Sequence, residues 1–113
     1  MSDAEAKVLL GQMLEAVRQA LSFVEGMTSE EFLADKRTQQ AVTLNLIIIG
    51  EVATRLMARH PATVEAHPEI EWRAMRGMRN RIAHGYYDID MNIVWETVVH
   101  ALPKLEKCLR EAT

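Results

Sequence analysis

Residues 38–59 read TQQAVTLNLIIIGEVATRLMAR. Val42, Leu46, Ile49, Ala53 and Leu56 recur at steps of three and four, one face of an amphipathic helix running from about Thr38 to Arg59. Ile47 and Ile48 carry apolar character onto a second face. A helix apolar on two sides sits centrally in a bundle or at an interface. Asn45 and Glu51 interrupt this apolar stretch. Each is either a solvent-facing polar residue or a buried partner for something charged.

The flanking segments repeat the helical pattern. Upstream, Leu10, Leu14, Val17, Leu21 and Val24 form a stripe, widened by Val8, Leu9 and Met13. Gly26 ends that helix. Thr28-Ser29-Glu30-Glu31 has the form of a capping box and starts a short helix through Phe32 and Leu33. Asp35-Lys36-Arg37 reads as a corner. Downstream, His60-Pro61 closes the long helix, because the residue before proline avoids the helical region. Pro61 to Pro68 reads as a loop or a weak helical turn. A shorter helix follows, with Trp72, Met75, Met78 and Ile82 on its inner face and Gly85 at its end. Asp90 caps a last helix with the stripe Val94, Val98, Leu102, Leu105 and Leu109. Pro103 lies inside it and is expected to bend it. No segment alternates as a strand does, so the expected class is all-α, an up-down bundle of four to five helices.

Composition narrows the function. A chain of 113 residues with 49% hydrophobic and 26% charged residues is an ordinary globular chain, expected as a single domain over 1–113. One cysteine, Cys108, excludes an intrachain disulfide and a cysteine zinc site. It reads as a small buried hydrophobe. The acidic start MSDAEAKVLL carries no visible signal peptide. The strongest apolar run, Leu46–Ile49, is far shorter than a membrane span. A cytoplasmic protein with no membrane partner is the expectation. The net charge of −3 argues against a general nucleic-acid coat and leaves room for a local basic site.

Such a site exists. Arg73, Arg76, Arg79 and Arg81 fall within nine residues, with no acid from Arg73 to Tyr87 and His84 close behind. A solvated helix face is the usual meaning of a charge run. Here every base is arginine, whose planar fork suits phosphate. Histidine is the side chain that exchanges its proton near neutral pH. Spacing raises a difficulty. Five residues of helix turn through about 140°, so Arg79 and His84 do not share a face, whereas Asn80 and His84 do. Two arrangements resolve it. The helix loosens before Gly85, or two chains pair so that both copies border one groove. No histidine pair has metal-site spacing, and no glycine-rich phosphate loop is present. No metal and no cofactor are expected.

The stretch Trp72-Arg73-Ala74-Met75-Arg76-Gly77-Met78-Arg79-Asn80-Arg81-Ile82-Ala83-His84-Gly85-Tyr86 resembles the signature of HepT-like proteins, toxin components of the HEPN superfamily. That signature runs from an arginine and a polar residue to a histidine four to six positions on, then x-Tyr. It maps to Arg79, Asn80, His84 and Tyr86. The segments from Glu30 to Asp35, Asn45 to Glu51 and Asp90 to Pro103 are also similar, so the resemblance covers essentially the whole chain. It implies a HEPN-type helical-bundle homodimer with metal-independent endoribonuclease activity at a site shared across the dimer. It further implies a type VII-like toxin–antitoxin system, with a small MNT-type nucleotidyltransferase antitoxin that adds AMP to Tyr86.

Residue chemistry leads to the same mechanism. Metal-free RNA cleavage needs a group to take the 2′-OH proton and one to protonate the leaving 5′-oxygen, and histidine does either near pH 7. It also needs cations against the charge building on the phosphate. The expected catalytic set is His84 as acid/base, Arg79 on the phosphate, and Asn80 orienting phosphate or His84. Arg73, Arg76 and Arg81 are expected to bind RNA phosphate. Glu51 is expected near Arg79, as a lone carboxylate fixing an arginine in place. Two other classes are open. In one, a non-catalytic module binds nucleotide, RNA or a partner, with steep salt dependence. In the other, a helical scaffold carries a solvated arginine face.

Overall fold

The computed structural model describes residues 2–113, and among them every regular element is helical. The order is α1 Ser2–Phe23, α2 Ser29–Leu33, α3 Lys36–Arg59, α4 Pro61–Ala66, α5 Trp72–His84, a 3-10 turn Tyr86–Asp88, α6 Met91–Glu96, a π turn Thr97–Ala101 and α7 Leu102–Ala112. The segments α6, π turn and α7 follow without a gap, so four rods form the bundle and α2 and α4 are short connectors.

The helix α3 is the centre. It packs on α1 along one side and on α5 along the other, and α7 also packs on α1. The expected stripe Val42, Leu46, Ile49, Ala53 and Leu56 is buried throughout. So are Gln39, Thr43 and Asn45. Buried Gln39 donates to the carbonyls of Phe32 and Leu33, closing the end of α2. Asn45 donates to Ala41 O of its own helix and leaves Oδ1 without a partner. The four-residue run Leu46–Ile49 understates the helix. By length and composition α3 could cross a membrane, yet half of that stretch is buried in the bundle.

Local signals set the ends. Thr28 and Glu31 form the reciprocal capping box. Asp35 caps α3 through Thr38, so the helix begins at Lys36 rather than Thr38. Phe32 is fully buried and stacks obliquely on Trp95, ring centroids 5.3 Å apart, pinning α2 to α6. The start of α1 meets the end of α3, where Glu5 pairs with Arg59 and with His60, whose side chain is 5% exposed.

Three expectations change. Val8 is 58% exposed and lies off the α1 stripe. Cys108 is half-buried. Pro103 does not kink a plain α-helix. The widened π turn just before it absorbs the residue that has no N–H and crowds the carbonyl four positions back.

Three carboxylates are held below the ordinary range. Glu5 is lowered first by the hydrogen bond from His60, Asp35 by the Thr38 hydroxyl, and Asp90 by the Asn92 amide. A lowered acid contributes stability above its unfolded pKa and loses it as pH falls through the folded value. Melting temperature should therefore decline between about pH 5 and pH 2. Asp35→Asn should be less stable near neutrality and show a shallower decline. A pH-independent melting temperature across that range would contradict this.

Candidate active site on α5

The helix α5 lies across α3 because Gly50 lets it. A Cβ built on Gly50 would fall 2.3 Å from Arg79 Cβ and 2.7 Å from the Met75 carbonyl oxygen. The bare backbone of α3 thus receives the stem of Arg79. The next turn of α3 then holds the guanidinium. Arg79 Nη1 donates to Glu51 Oε1 at 3.0 Å, and Nη2 donates to Thr54 Oγ1 at 3.2 Å. The Thr54 hydroxyl spends its own proton on Gly50 O at 2.8 Å, so its oxygen faces Arg79 as an acceptor. Arg79 Nε is buried without a partner. The side chain of Arg79 is 22% exposed, and Glu51 is 55% exposed. An exposed ion pair of this kind adds little stability. Its effect is a fixed pose for the arginine, and it places Glu51 at the position expected for it.

Sequence spacing by itself does not single out Thr54 or the packing role of Gly50. Thr54 lies three residues after Glu51 and four after Gly50, on the same helical face. That spacing was available, but only the crossing of α5 gives it meaning.

The remaining candidates divide by rotation about α5. Residues 73, 76, 77, 80 and 84 fall on one outward face, given about 100° per residue. Arg73, Asn80 and His84 on that face are exposed, and Arg76 is half-buried. Arg79 sits on the flank that meets α3. Arg81 points to the opposite flank, roughly 160° from Arg79. Arg79 and Arg81 therefore lie on opposite flanks of this face, and only Arg73 and Arg76 share it with His84. The helix stays regular through His84 and ends at Gly85. Loosening before Gly85 does not occur, so within one protomer Arg79 and His84 diverge.

Charge pairing separates the arginines further. Among the described residues Arg18, Arg59, Arg79 and Arg110 each meet a carboxylate. Arg73, Arg76 and Arg81 meet none within ion-pair distance. Tyr86 follows on the 3-10 turn, half-buried against the core. Tyr87 is 94% exposed, with its ring edge-on to Tyr86 at 5.7 Å.

Known proteins match this chain along its length. A protein of Methanocaldococcus jannaschii named as a proposed RNase is 31% identical over 111 residues, 98% of this chain and 89% of its own. A probable ribonuclease HepT of Thermococcus cleftensis is 37% identical over 97 residues, 82% of this chain and 86% of its own. A proposed RNase of Caldanaerobacter subterraneus subsp. tengcongensis is 32% identical over 102 residues, 87% of this chain and 88% of its own. No solved structure matches. Residues 13–112 match the family described as ribonuclease HepT-like, which takes in α5 and its supports on α3. With that match and those relatives, the chain belongs to the HepT-like ribonuclease family.

Proposed function

We propose that the protein is a metal-independent endoribonuclease toxin whose site is completed by a second copy of the chain. The observation that carries this reading is the arginine clamp, in which Glu51 and Thr54 fix Arg79 on the flank of a helix whose outward face exposes Asn80 and His84. In the reaction the 2′-oxygen attacks phosphorus and the P–O5′ bond breaks. The products are a 2′,3′-cyclic phosphate and a 5′-hydroxyl. His84 takes the 2′-OH proton or returns one to the leaving oxygen. Arg79 stabilises the charge on the phosphate oxygens. Asn80, one turn before His84, orients phosphate or imidazole. Arg73 and Arg76 meet flanking phosphates, and Arg81 approaches RNA from the other flank.

The homodimer rests on two features. Arg79 and His84 are turned about 140° apart in one chain. The outer face of α3 also leaves Leu44 58% and Ile48 37% exposed beside Glu51. A second copy covering that stripe would bring its own α5 to the same groove. We also place the protein in the cytoplasm, free of membrane, opposite a nucleotidyltransferase antitoxin. Tyr86 is the proposed AMP acceptor, with the more exposed Tyr87 beside it. A non-catalytic RNA- or partner-binding module is the second reading, favoured by the unpaired arginines alone.

The test is a labelled RNA incubated with purified protein in EDTA. Cleavage with cyclic-phosphate and 5′-hydroxyl ends is expected. Salt-sensitive binding without cleavage would leave the module reading, and cleavage abolished by EDTA would overturn the metal-free mechanism.

A further inference from the structure

The outward face of α5 continues past the clamp into a concavity. Where α3, α4 and the start of α5 meet, an open pocket of about 670 Å³ lies beside Arg73 and Arg76. Its floor is apolar, from Met57, Pro61 and Val64. Glu65 and Glu71 also line it. Neither acid reaches ion-pair distance of either arginine, so both signs of charge face the pocket uncommitted. Between pocket and His84 the same face carries Gly77. A Cβ there would meet nothing within 4 Å. Mid-helix glycine is unfavourable relative to alanine, and none of the described residues fills the space it leaves. A bare backbone of this kind suits the close approach of another molecule.

We propose that this pocket is a nucleotide subsite that seats the base next to the scissile phosphate and selects bases with an exocyclic amino group. The inference rests on the ribonuclease reading of Arg79 and His84 and names the substrate feature which that site selects. Arg76 lies about 4.5 Å and Arg73 about 9 Å along the helix axis from Arg79, the scale of one nucleotide step. The strand runs from the clamp toward Arg76 and Arg73, which take the flanking phosphate with their open forks. The base enters the pocket. Its faces lie on the apolar floor, as unstacked bases do in single-stranded RNA recognition. The carboxylates of Glu65 and Glu71 accept hydrogen bonds from its amino group. Adenine, cytosine and guanine supply that group and uracil does not. A pocket of this size holds a base and sugar, within the range of ordinary ligand sites. The acids would oppose a bare phosphate inside the pocket, which is why the base enters and the phosphate stays on the rim.

The experiment uses short single-stranded RNAs that differ only in the base beside the cut. The wild-type protein should cleave adenine, cytosine or guanine substrates about tenfold better in kcat/KM than the uracil one. Glu65→Ala should bring that ratio close to one. Arg76→Ala should shrink the advantage of a longer RNA over a dinucleotide about tenfold, mainly through KM. Binding of RNAs with a 2′-deoxy sugar at the cut, which cannot react, should show the same base order and the same losses. Equal binding and cleavage of all four bases by the wild type would overturn the subsite. So would loss in Arg76→Ala that is the same on a dinucleotide and a longer strand. If Glu65→Ala and Arg76→Ala shift the oligomeric state and leave RNA untouched, the face is an interface between copies and the subsite fails. Failure of cleavage with the base order retained in binding would strike the ribonuclease reading and leave the subsite standing.

Discussion

Replacing His84 by alanine should lower RNA cleavage by about 10²–10⁴-fold, the contribution of one positioned proton-transfer group. The fold should not notice. His84 is exposed in the last turn of α5, and exposed substitutions of this kind change stability by about 0.5 kcal/mol or less. Melting temperature therefore stays level while activity falls, which separates chemistry from folding. The proposal that two chains share each site makes a sharper test available. His84→Ala and Arg79→Ala are each expected to be inactive alone. When they are mixed and allowed to exchange, half of the dimers carry one chain of each. If a site takes Arg79 from one copy and His84 from the other, each mixed dimer regains one complete site. Activity should return to about a quarter of wild type, as the symmetry of a twofold dimer dictates. If both residues of a site come from the same chain, mixing restores nothing. A purified, folded His84→Ala variant that cleaves at the wild-type rate would end the catalytic assignment.

Gly50→Ala should be the most damaging small substitution in the chain. The new methyl group would meet Arg79 Cβ and the Met75 carbonyl, and neither atom can swing aside without moving α5. The two helices must separate along their most extensive contact. Overpacking of this kind costs about 1–3 kcal/mol. At the upper end that is a fall in melting temperature on the order of 10 °C for a domain this small. The clamp would move as well, because Glu51 and Thr54 ride on α3 while Arg79 rides on α5. Misplacing a catalytic group by about 1 Å can cost about 100-fold in rate. Gly77→Ala supplies the contrast. It puts the same methyl group into open space, and stability should rise by up to about 1 kcal/mol. A Gly50→Ala protein that melts and cleaves like the wild type would show that α3 and α5 do not approach as described.

The helices were legible because burial follows the periodic stripes. Val42, Leu46, Ile49, Ala53 and Leu56 carried the information by themselves, and so did the caps at Thr28 and Asp90. Val8 misled because an apolar residue beside a stripe looks like part of it. Pro103 misled because one-dimensional rules treat proline as a kink, whereas the backbone accommodates it with a wider turn. At the site, the arginine run and His84 were visible as residue types, and α5 as a helix showed which of them share a face. What stayed hidden depends on contact between segments. Thr54 looks like an ordinary helical threonine until Arg79 arrives over Gly50. Residues 61–68 read as a loop or a weak helical turn, and neither reading reveals the α4 pocket, because its walls come from three separate elements.

The apolar character of α3 has a consequence during synthesis. When Arg59 leaves the ribosome, α1 already exists to shield one side of α3. The side meant for α5 stays bare until His84 has emerged in turn, 25 residues later. At about 5–20 residues per second that is roughly 1–5 s in which this apolar helix lacks its α5 partner. Gln39, Thr43 and Asn45, all buried in the finished fold, make the uncovered helix less apolar through that interval.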